Sequence, residues 1–584
     1  KKHDELFQPD IRHQKMKLLK HSHWIFYFLF VLFALSCARQ TAPTGGPKDS
    51  IPPTLITSIP KAGQINFKGS SIELTFSEPI FLNNPKDELL ITPAIGKEFD
   101  IESKKNQVII TFDQPLDDST TYAINFREAI QDITEKNPAE MLKLAFSTGS
   151  YIDSLSIEGT TYDLLTSVEL KDATIALYQT DTFDIFKHKP TYLTKSDSKG
   201  KFRIENLKPG RYFIYGFNDK NKNLLTDSKT EPYAFLRDSI QLSKNALNIR
   251  LPFIYLDSRP LKLTSARPTN TYFNIKTAKN LTTFTLTTSE GGPPISSFGE
   301  DQTNIRIYNT LSNQDSVLTY FTARDSINNL IDTTLYVKFS DREAKPEPFD
   351  IQLNKFNVVG TKGIIQGQIK FTKPVRSINF DSLFYNIDST QRISFDPRDL
   401  SWDSLHNILS LEKKFDKALL PKEPTANENM TSSRPIQKST PAKPGTKPSM
   451  DFHLYLGKGA FISVESDSSK KITERLAPLK FEDTGVLLIE IQTQAKHFLV
   501  QLLTKDFEVL SSKRDLKKFS FDDLKPGDYQ LRLVIDENND GKWNPGNFFL
   551  LEEPEPIIFY KNEKGVPLVN LKANWELGPL LIKH

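Results

Sequence analysis

Residues 536–547, Asp-Glu-Asn-Asn-Asp-Gly-Lys-Trp-Asn-Pro-Gly-Asn, carry oxygen donors at the alternating spacing of a calcium loop. Calcium takes about six to eight oxygens, and an EF-type loop offers them from alternate positions, with Gly at the sixth and a bidentate Glu at the twelfth. Asp536, Asn538 and Asp540 hold positions one, three and five, and Gly541 the sixth. The Lys542 carbonyl falls at seven and the Asn544 side chain at nine. Position twelve is Asn547, so an acid enters from Glu552 or Glu553 only if the chain folds back. A poorer copy lies upstream. Asp219, Asn221, Asn223 and Asp227 hold positions one, three, five and nine, Leu224 replaces the Gly, and Glu231 falls at thirteen. Both loops follow strand patterns with no helix alongside, which excludes an EF-hand. Ca2+ would stiffen such a loop. The competing reading is two Asx-rich turns whose side chains bond their own backbone.

No other grouping points to catalysis. The nine His are scattered with no His-Glu-x-x-His, and neither a phosphate-cradling Gly-rich loop nor a Gly-x-Ser-x-Gly elbow is present. The acid pairs Asp117-Asp118 and Asp522-Asp523 sit in turn sequences. Trp543 and Trp575 read as buried sandwich aromatics, with an exposed sugar platform as the alternative. The expectation is a protein that is not an enzyme. With 75 basic and 72 acidic residues the net charge is +3, which gives no electrostatic case for nucleic acid.

The single cysteine, Cys37, excludes an internal disulfide and a Cys-based zinc site. It ends a distinctive stretch. Met16 is followed by Lys17 and Lys20, and then by an unbroken apolar run from Trp24 to Leu35. That run is short for a spanning helix but suits a signal-peptide core. Residues 1–36 are therefore read as upstream residues and signal peptide, with the start at Met16. The closing Ala-Leu-Ser-Cys resembles the bacterial lipoprotein signal, which implies a lipidated Cys37 and anchorage by several acyl chains. Residues 37–51, rich in Pro and Gly, form a flexible tether. No Asp follows Cys37 and no acidic run follows either. The resemblance then implies the outer membrane, facing the periplasm, with surface exposure as the alternative.

Beyond residue 52 the chain reads as short strands. Ser71–Phe76, Gln107–Phe112 and residues 121–126 alternate apolar and polar residues between turn signals, the pattern of β-sandwiches. A turn or two of helix is expected only near Glu-Ala-Ile-Gln-Asp-Ile-Thr, at residue 130. Residues 52–150 resemble the bacterial Ig-like domain first described in S-layer proteins. The carrying stretches are Pro-Pro-Thr-Leu-Ile-Thr-Ser-Ile-Pro-Lys-Ala-Gly, Ile-Glu-Leu-Thr-Phe-Ser-Glu-Pro-Ile and a closing Leu-Ala-Phe-Ser-Thr-Gly. With the lipoprotein signal, this looks like a family of Bacteroidota lipoproteins bearing an N-terminal Ig-like domain.

Residues 151–256 contain Phe-Arg-Ile-Glu-Asn-Leu-Lys-Pro-Gly-Arg-Tyr, similar to prealbumin-like, carboxypeptidase-regulatory-like sandwiches. Pro sets φ and Gly accepts a positive φ, so Lys208-Pro209-Gly210 is expected to pin a tight reversal. Phe-Ser-Phe-Asp-Asp-Leu-Lys-Pro-Gly-Asp-Tyr from Phe519 repeats it, so 484–584 is read as a second prealbumin-like sandwich. Ile-Lys-Phe-Thr-Lys-Pro-Val at 369–375 mirrors Leu-Thr-Phe-Ser-Glu-Pro-Ile at 74–80, which makes 347–483 a degenerate Ig-like copy. It holds a disordered Pro-, Ser- and Lys-rich insertion at 421–450. Residues 257–346 supply an extra sandwich. The expected fold is all-β, with tandem sandwiches as separate beads, each with its own core. The expected role is a non-enzymatic envelope lipoprotein that binds or scaffolds a protein partner. The alternative is carbohydrate binding or attachment in glycan use.

Overall fold

The computed structural model describes residues 49–584 except 96–98, 141, 270, 311–315, 341–343, 389 and 421–451. Cys37, the expected signal peptide and the insertion expected at 421–450 lie outside the described residues. The chain is all-β. Among the described residues, strands are joined by one four-residue α-helix, Pro85–Glu88, and short 3-10 turns. Alternation dictates this. Ser71–Phe76 buries Ile72, Leu74 and Phe76 on one face, and Gln107–Phe112 buries Val108, Ile110 and Phe112. The helical turn expected near residue 130 is instead a buried strand, Ile130–Asp132, paired with Ile80–Leu82. Its end is fixed by the Asp132 carboxylate, which accepts N–H bonds from Glu135, Lys136 and Asn137 and so reverses the chain.

Among the described residues the ladders fall into five groups along the chain, and none of these ladders joins two groups. They span residues 55–147, 155–253, 263–337, 351–479 and 485–583. The second and fifth share one path. In each, the first strand lies between an antiparallel neighbour and the group's last strand, which runs parallel to it: Leu155–Asp163 with Ala246–Phe253, and Gly485–Gln492 with Glu576–Lys583. A second, five-stranded sheet packs over this one in both groups. The first and fourth groups also share a path. Leu55–Ile59, Ser71–Phe76, Gln107–Phe112 and Phe99–Lys104 lie side by side, as do Ile351–Val359, Ile364–Phe371, Ile408–Lys414 and Leu400–Asp403.

Each group encloses an apolar cluster. The groups are not separate beads, however, because a sixth buried cluster draws on three of them. It joins Tyr178, Phe213, Tyr215, Phe217, Tyr233 and Phe235 of the second group to Ile327 of the third and Phe548 of the fifth. The physical reason is that strand Gly210–Phe217 is apolar on both faces. Tyr212 and Ile214 point into its own sandwich, while Phe213, Tyr215 and Phe217 point out and need cover.

Further contacts link successive groups. Ala94 N–H donates to Thr191 O (2.5 Å), and Lys143 pairs with Glu205 (2.7 Å). Asn407 Nδ2 donates to Ser297 Oγ (2.9 Å), and Lys362 pairs with Asp523 (2.7 Å). The fifth group then returns to the second. Arg532 Nη1 donates to Leu165 O (3.2 Å), and Arg237 N–H donates to Glu553 Oε1 (2.6 Å). The second to fifth groups thus form a closed circuit, with the first attached to the second.

Candidate functional site

The two Asp/Asn loops have one shared design. In the upstream loop Asp219 Oδ1 accepts from Asn223 N–H (3.0 Å) and Oδ2 from Leu224 N–H (3.0 Å). In the downstream loop Asp536 Oδ1 accepts from Asp540 N–H (3.0 Å) and Oδ2 from Gly541 N–H (2.9 Å). A buried glutamate then clasps each loop from behind. Glu231 takes the N–H groups of Lys220 and Asp227, both at 2.9 Å. Glu555 takes those of Glu537 and Asn544, both at 2.8 Å. These are the same two positions of each loop. Burial pushes the Glu555 carboxyl above its usual range and the Asp536 charge adds to this, against the lowering by the backbone N–H groups of Asn544, Glu537 and Asn538.

The chain does fold back here, through an Asn547–Glu552 bridge, but the acid it delivers is Glu555 and not Glu552 or Glu553. The span from Asn544 to Glu555 is seven residues longer than that from Asp227 to Glu231. The extra residues form the 3-10 turn Phe548–Leu550, capped by the Asn547 side chain. Phe548 enters the shared cluster, with ring centroids 5.1 Å from Phe186, 5.4 Å from Phe235 and 5.9 Å from Tyr233. Asn547 Nδ2 donates to Ile327 O (3.1 Å), tying the third group in as well. The loop is therefore a hook that holds three groups together.

The remaining loop donors are spent locally. Asn538 Oδ1 accepts from Asp540 N–H (3.1 Å), Asp540 Oδ1 from Lys542 N–H (2.8 Å), and Asn544 Nδ2 donates to Asp540 Oδ2 (3.2 Å). Upstream, Asn221 Oδ1 accepts from Asn223 N–H (3.1 Å) and Asp227 Oδ1 from Lys229 N–H (3.0 Å). Among the described residues no group of three or more His, Cys, Asp or Glu is placed to hold a metal ion. At the downstream loop the Arg514 guanidinium already faces Asp536 Oδ2 (3.1 Å) and the Asn539 carbonyl (3.1 Å). A cation there would meet a like charge, so the residues fit calcium poorly.

The Lys-Pro-Gly punctuation works differently from its expectation. Neither Gly210 nor Gly527 has a positive φ; the left-handed residues are Asn206 (φ 59°) and Asp523 (φ 58°), four positions earlier in each copy. The turn is closed by the tyrosine two places after the Gly. Tyr212 OH donates to Lys208 O (3.0 Å) and Tyr529 OH to Lys525 O (2.5 Å), in the manner of a tyrosine corner. Trp543 is half-buried beside the shared cluster and donates to Glu555 O (3.0 Å). Trp575, expected in a core, is 47% exposed under Lys572, because it precedes an edge strand.

Strand order, the Phe-Ser-Glu-Pro turn and the closing strand Lys143–Ser147 now stand together in the first group. Residues 49–148 match a bacterial Ig-like domain. None of the curated proteins matches the chain. Among solved structures, the N-terminal part of the bacterial S-layer protein SbsC aligns at 12% identity and TM-score 0.13, over 50% of this chain and 45% of that one. The chain thus spans less than half of that fragment. The major pilin subunit BcpA of Bacillus cereus aligns at 8% identity and TM-score 0.13, over 74% of this chain and 98% of that one. The human desmocollin-1 ectodomain aligns at 10% identity and TM-score 0.14, over 51% and 60%. At these values the alignments say nothing of function. No described helix is long and apolar enough to cross a membrane.

Proposed function

We propose that the protein is a non-enzymatic lipoprotein of the outer membrane, facing the periplasm, that binds or scaffolds a protein partner. One observation carries this reading: the circuit of sandwiches sealed by the Phe548 hook. Buried acids and aromatics that would mark an active site elsewhere are here used to fix the groups against one another. Such a body presents a wide, rigid surface, with the Ig-like domain attached at one side. Crosslinking in intact cells tests it. A reproducible envelope protein captured through described surface residues supports the reading, and measured turnover of any substrate by the purified full chain ends it. Anchorage through Cys37 is tested separately. Cys37→Ser is expected to leave the detergent phase in a two-phase partition, and retention equal to the parent would remove the lipid.

Calcium, which the Arg514-faced loop fits poorly, would act here only by stiffening the loop. In titration calorimetry, heat from the parent that is lost in Asp536→Ala would place the ion in the loop. No heat from the parent leaves the carboxylates as clasps alone.

A second reading, carbohydrate binding, is favoured by the outer face of the 283–337 sheet. Tyr320 and Tyr336 are 52% and 69% exposed there. Tyr320 lies opposite Thr287 and Thr334, and Leu318 opposite Tyr336, so the two rings are diagonal neighbours among threonine hydroxyls. Planar rings beside hydroxyls suit a sugar's C–H face and edge. A glycan array hit lost in Tyr320→Ala would support it, and an array with no hits would remove it.

A further inference from the structure

The second group carries a positive cleft that neither reading uses. On the outer face of its three-stranded sheet, Thr160 lies between Lys201 on one neighbouring strand and Arg250 on the other. Lys199, from the turn before Lys201, and Lys561, from the fifth group, line the same open cleft of about 400 Å³. The Arg250 guanidinium lies over the Tyr162 ring, 4.4 Å from its centroid. One carboxylate, Glu169, is in the lining. The nearby Asp197 carboxylate is turned into its own turn, accepting from the N–H groups of Lys199 (2.8 Å) and Lys201 (2.9 Å). The adjacent Arg203 is already spent on Glu158 (3.1 Å) and Glu205 (2.8 Å). Among the described residues, none of the four lining cations is in an ion pair. Four cations against one acid make a cleft that attracts anions.

Spacing narrows the ligand. Neighbouring strands lie about 4.8 Å apart, so Lys201 and Arg250, two strands apart, are separated by roughly 10 Å. Their long side chains can converge on one anion or, extended, hold two charges carried along a polymer, and the open cleft with Lys199 and Lys561 further along its lining suits the second. Glu169 repels phosphate and carboxylate alike, but it accepts hydroxyl donors, which an acidic sugar chain carries along its length and a DNA backbone does not. We infer that this cleft, at the junction of the second and fifth groups, binds an acidic polysaccharide. Lys201 and Arg250 hold two of its carboxylates, and Glu169 takes sugar hydroxyls. The site is distinct from the Tyr320–Tyr336 face and does not depend on it.

Affinity electrophoresis of the full chain tests this with polygalacturonate, with neutral dextran and with single-stranded oligothymidylate. Polygalacturonate is expected to retard the parent, with dextran and oligothymidylate having little effect. Lys201→Ser/Arg250→Ser is expected to weaken retardation by about tenfold or more, and added salt to weaken it further. Both residues are exposed, so an unchanged unfolding midpoint verifies that the variant is folded. The inference is overturned if polygalacturonate fails to retard the parent, if the double variant binds as well, or if oligothymidylate binds more tightly. A glycan array hit lost in Tyr320→Ala, with no effect of polygalacturonate, would sink this cleft while leaving the neutral-sugar reading intact.

Discussion

Phe548→Ala is expected to open the contact between the second and fifth groups while leaving each sandwich folded. Phe548 is 7% exposed, and its ring meets Phe186, Tyr215, Tyr233 and Phe235. Removing a buried phenylalanine costs roughly 3–5 kcal/mol through lost transfer energy and the cavity left behind. Here the cavity would lie between groups, so the cheaper response is separation of the groups. The aromatic outer face of Gly210–Phe217 and Tyr233–Phe235 would then meet water. Hydrogen exchange should rise in those two strands and in the 536–555 loop, with the Ig-like domain unaffected. Dye binding to exposed apolar surface should rise with it. Unchanged exchange in Gly210–Phe217 would show that the hook does not hold the groups together.

The second large effect is expected at Lys279→Met. Lys279 Nζ pairs with Asp325 Oδ2 at 2.6 Å, with side chains 4% and 1% exposed. The same Nζ donates to Asp257 O (2.7 Å), in the link between the second and third groups. Asp325 in turn accepts from Ile327 N–H (3.0 Å) and Asn329 N–H (2.9 Å), which shapes the turn that delivers Ile327 to the shared cluster. Removing one partner of such a buried pair leaves an uncompensated charge and costs about 3–5 kcal/mol. The third group should lose stability by that amount in denaturant unfolding, and the 325–329 turn should exchange faster. A change below about 1 kcal/mol, the range of an exposed pair, would contradict the buried geometry. Both substitutions act on the circuit, but at different points. Phe548→Ala should spare the interior of the third group, whereas Lys279→Met should not.

The duplicated loops show how far local sequence reaches. Each Asp bonds the backbone four and five residues on, so Asp219 and Asp536 announce their loops by spacing alone. The glutamate clasp was not legible. Its donors are fixed, but the acid stands twelve residues after Asp219 and nineteen after Asp536, with an insertion of unknown path between. The tyrosine corner is in plain view as Lys-Pro-Gly-x-Tyr, but Pro-Gly chemistry points the positive φ to the Gly. In the fold it falls on Asn206 and Asp523, residue types that tolerate the left-handed region.

One signal for the shared cluster was present and unread. Where the downstream copy has Gln530, Arg532 and Val534 on the outward face of its strand, the upstream copy has Phe213, Tyr215 and Phe217. An outward aromatic row in one copy, and a Phe-Phe-Leu-Leu insertion in the other, are the two halves of one interface. Neither half names its partner.

Sequence alone determined the all-β fold and the duplicated Lys-Pro-Gly and acidic-loop stretches, because alternation and turn chemistry are local properties of a pleated chain. It also determined the absence of any familiar catalytic motif. Only the tertiary structure decided that the sandwiches close into a circuit, that Glu555 completes the downstream loop, and that Lys201, Arg250 and Lys561 line one cleft. Those outcomes depend on which surfaces meet across hundreds of residues, and burial between groups leaves no periodicity in the chain from which to read it.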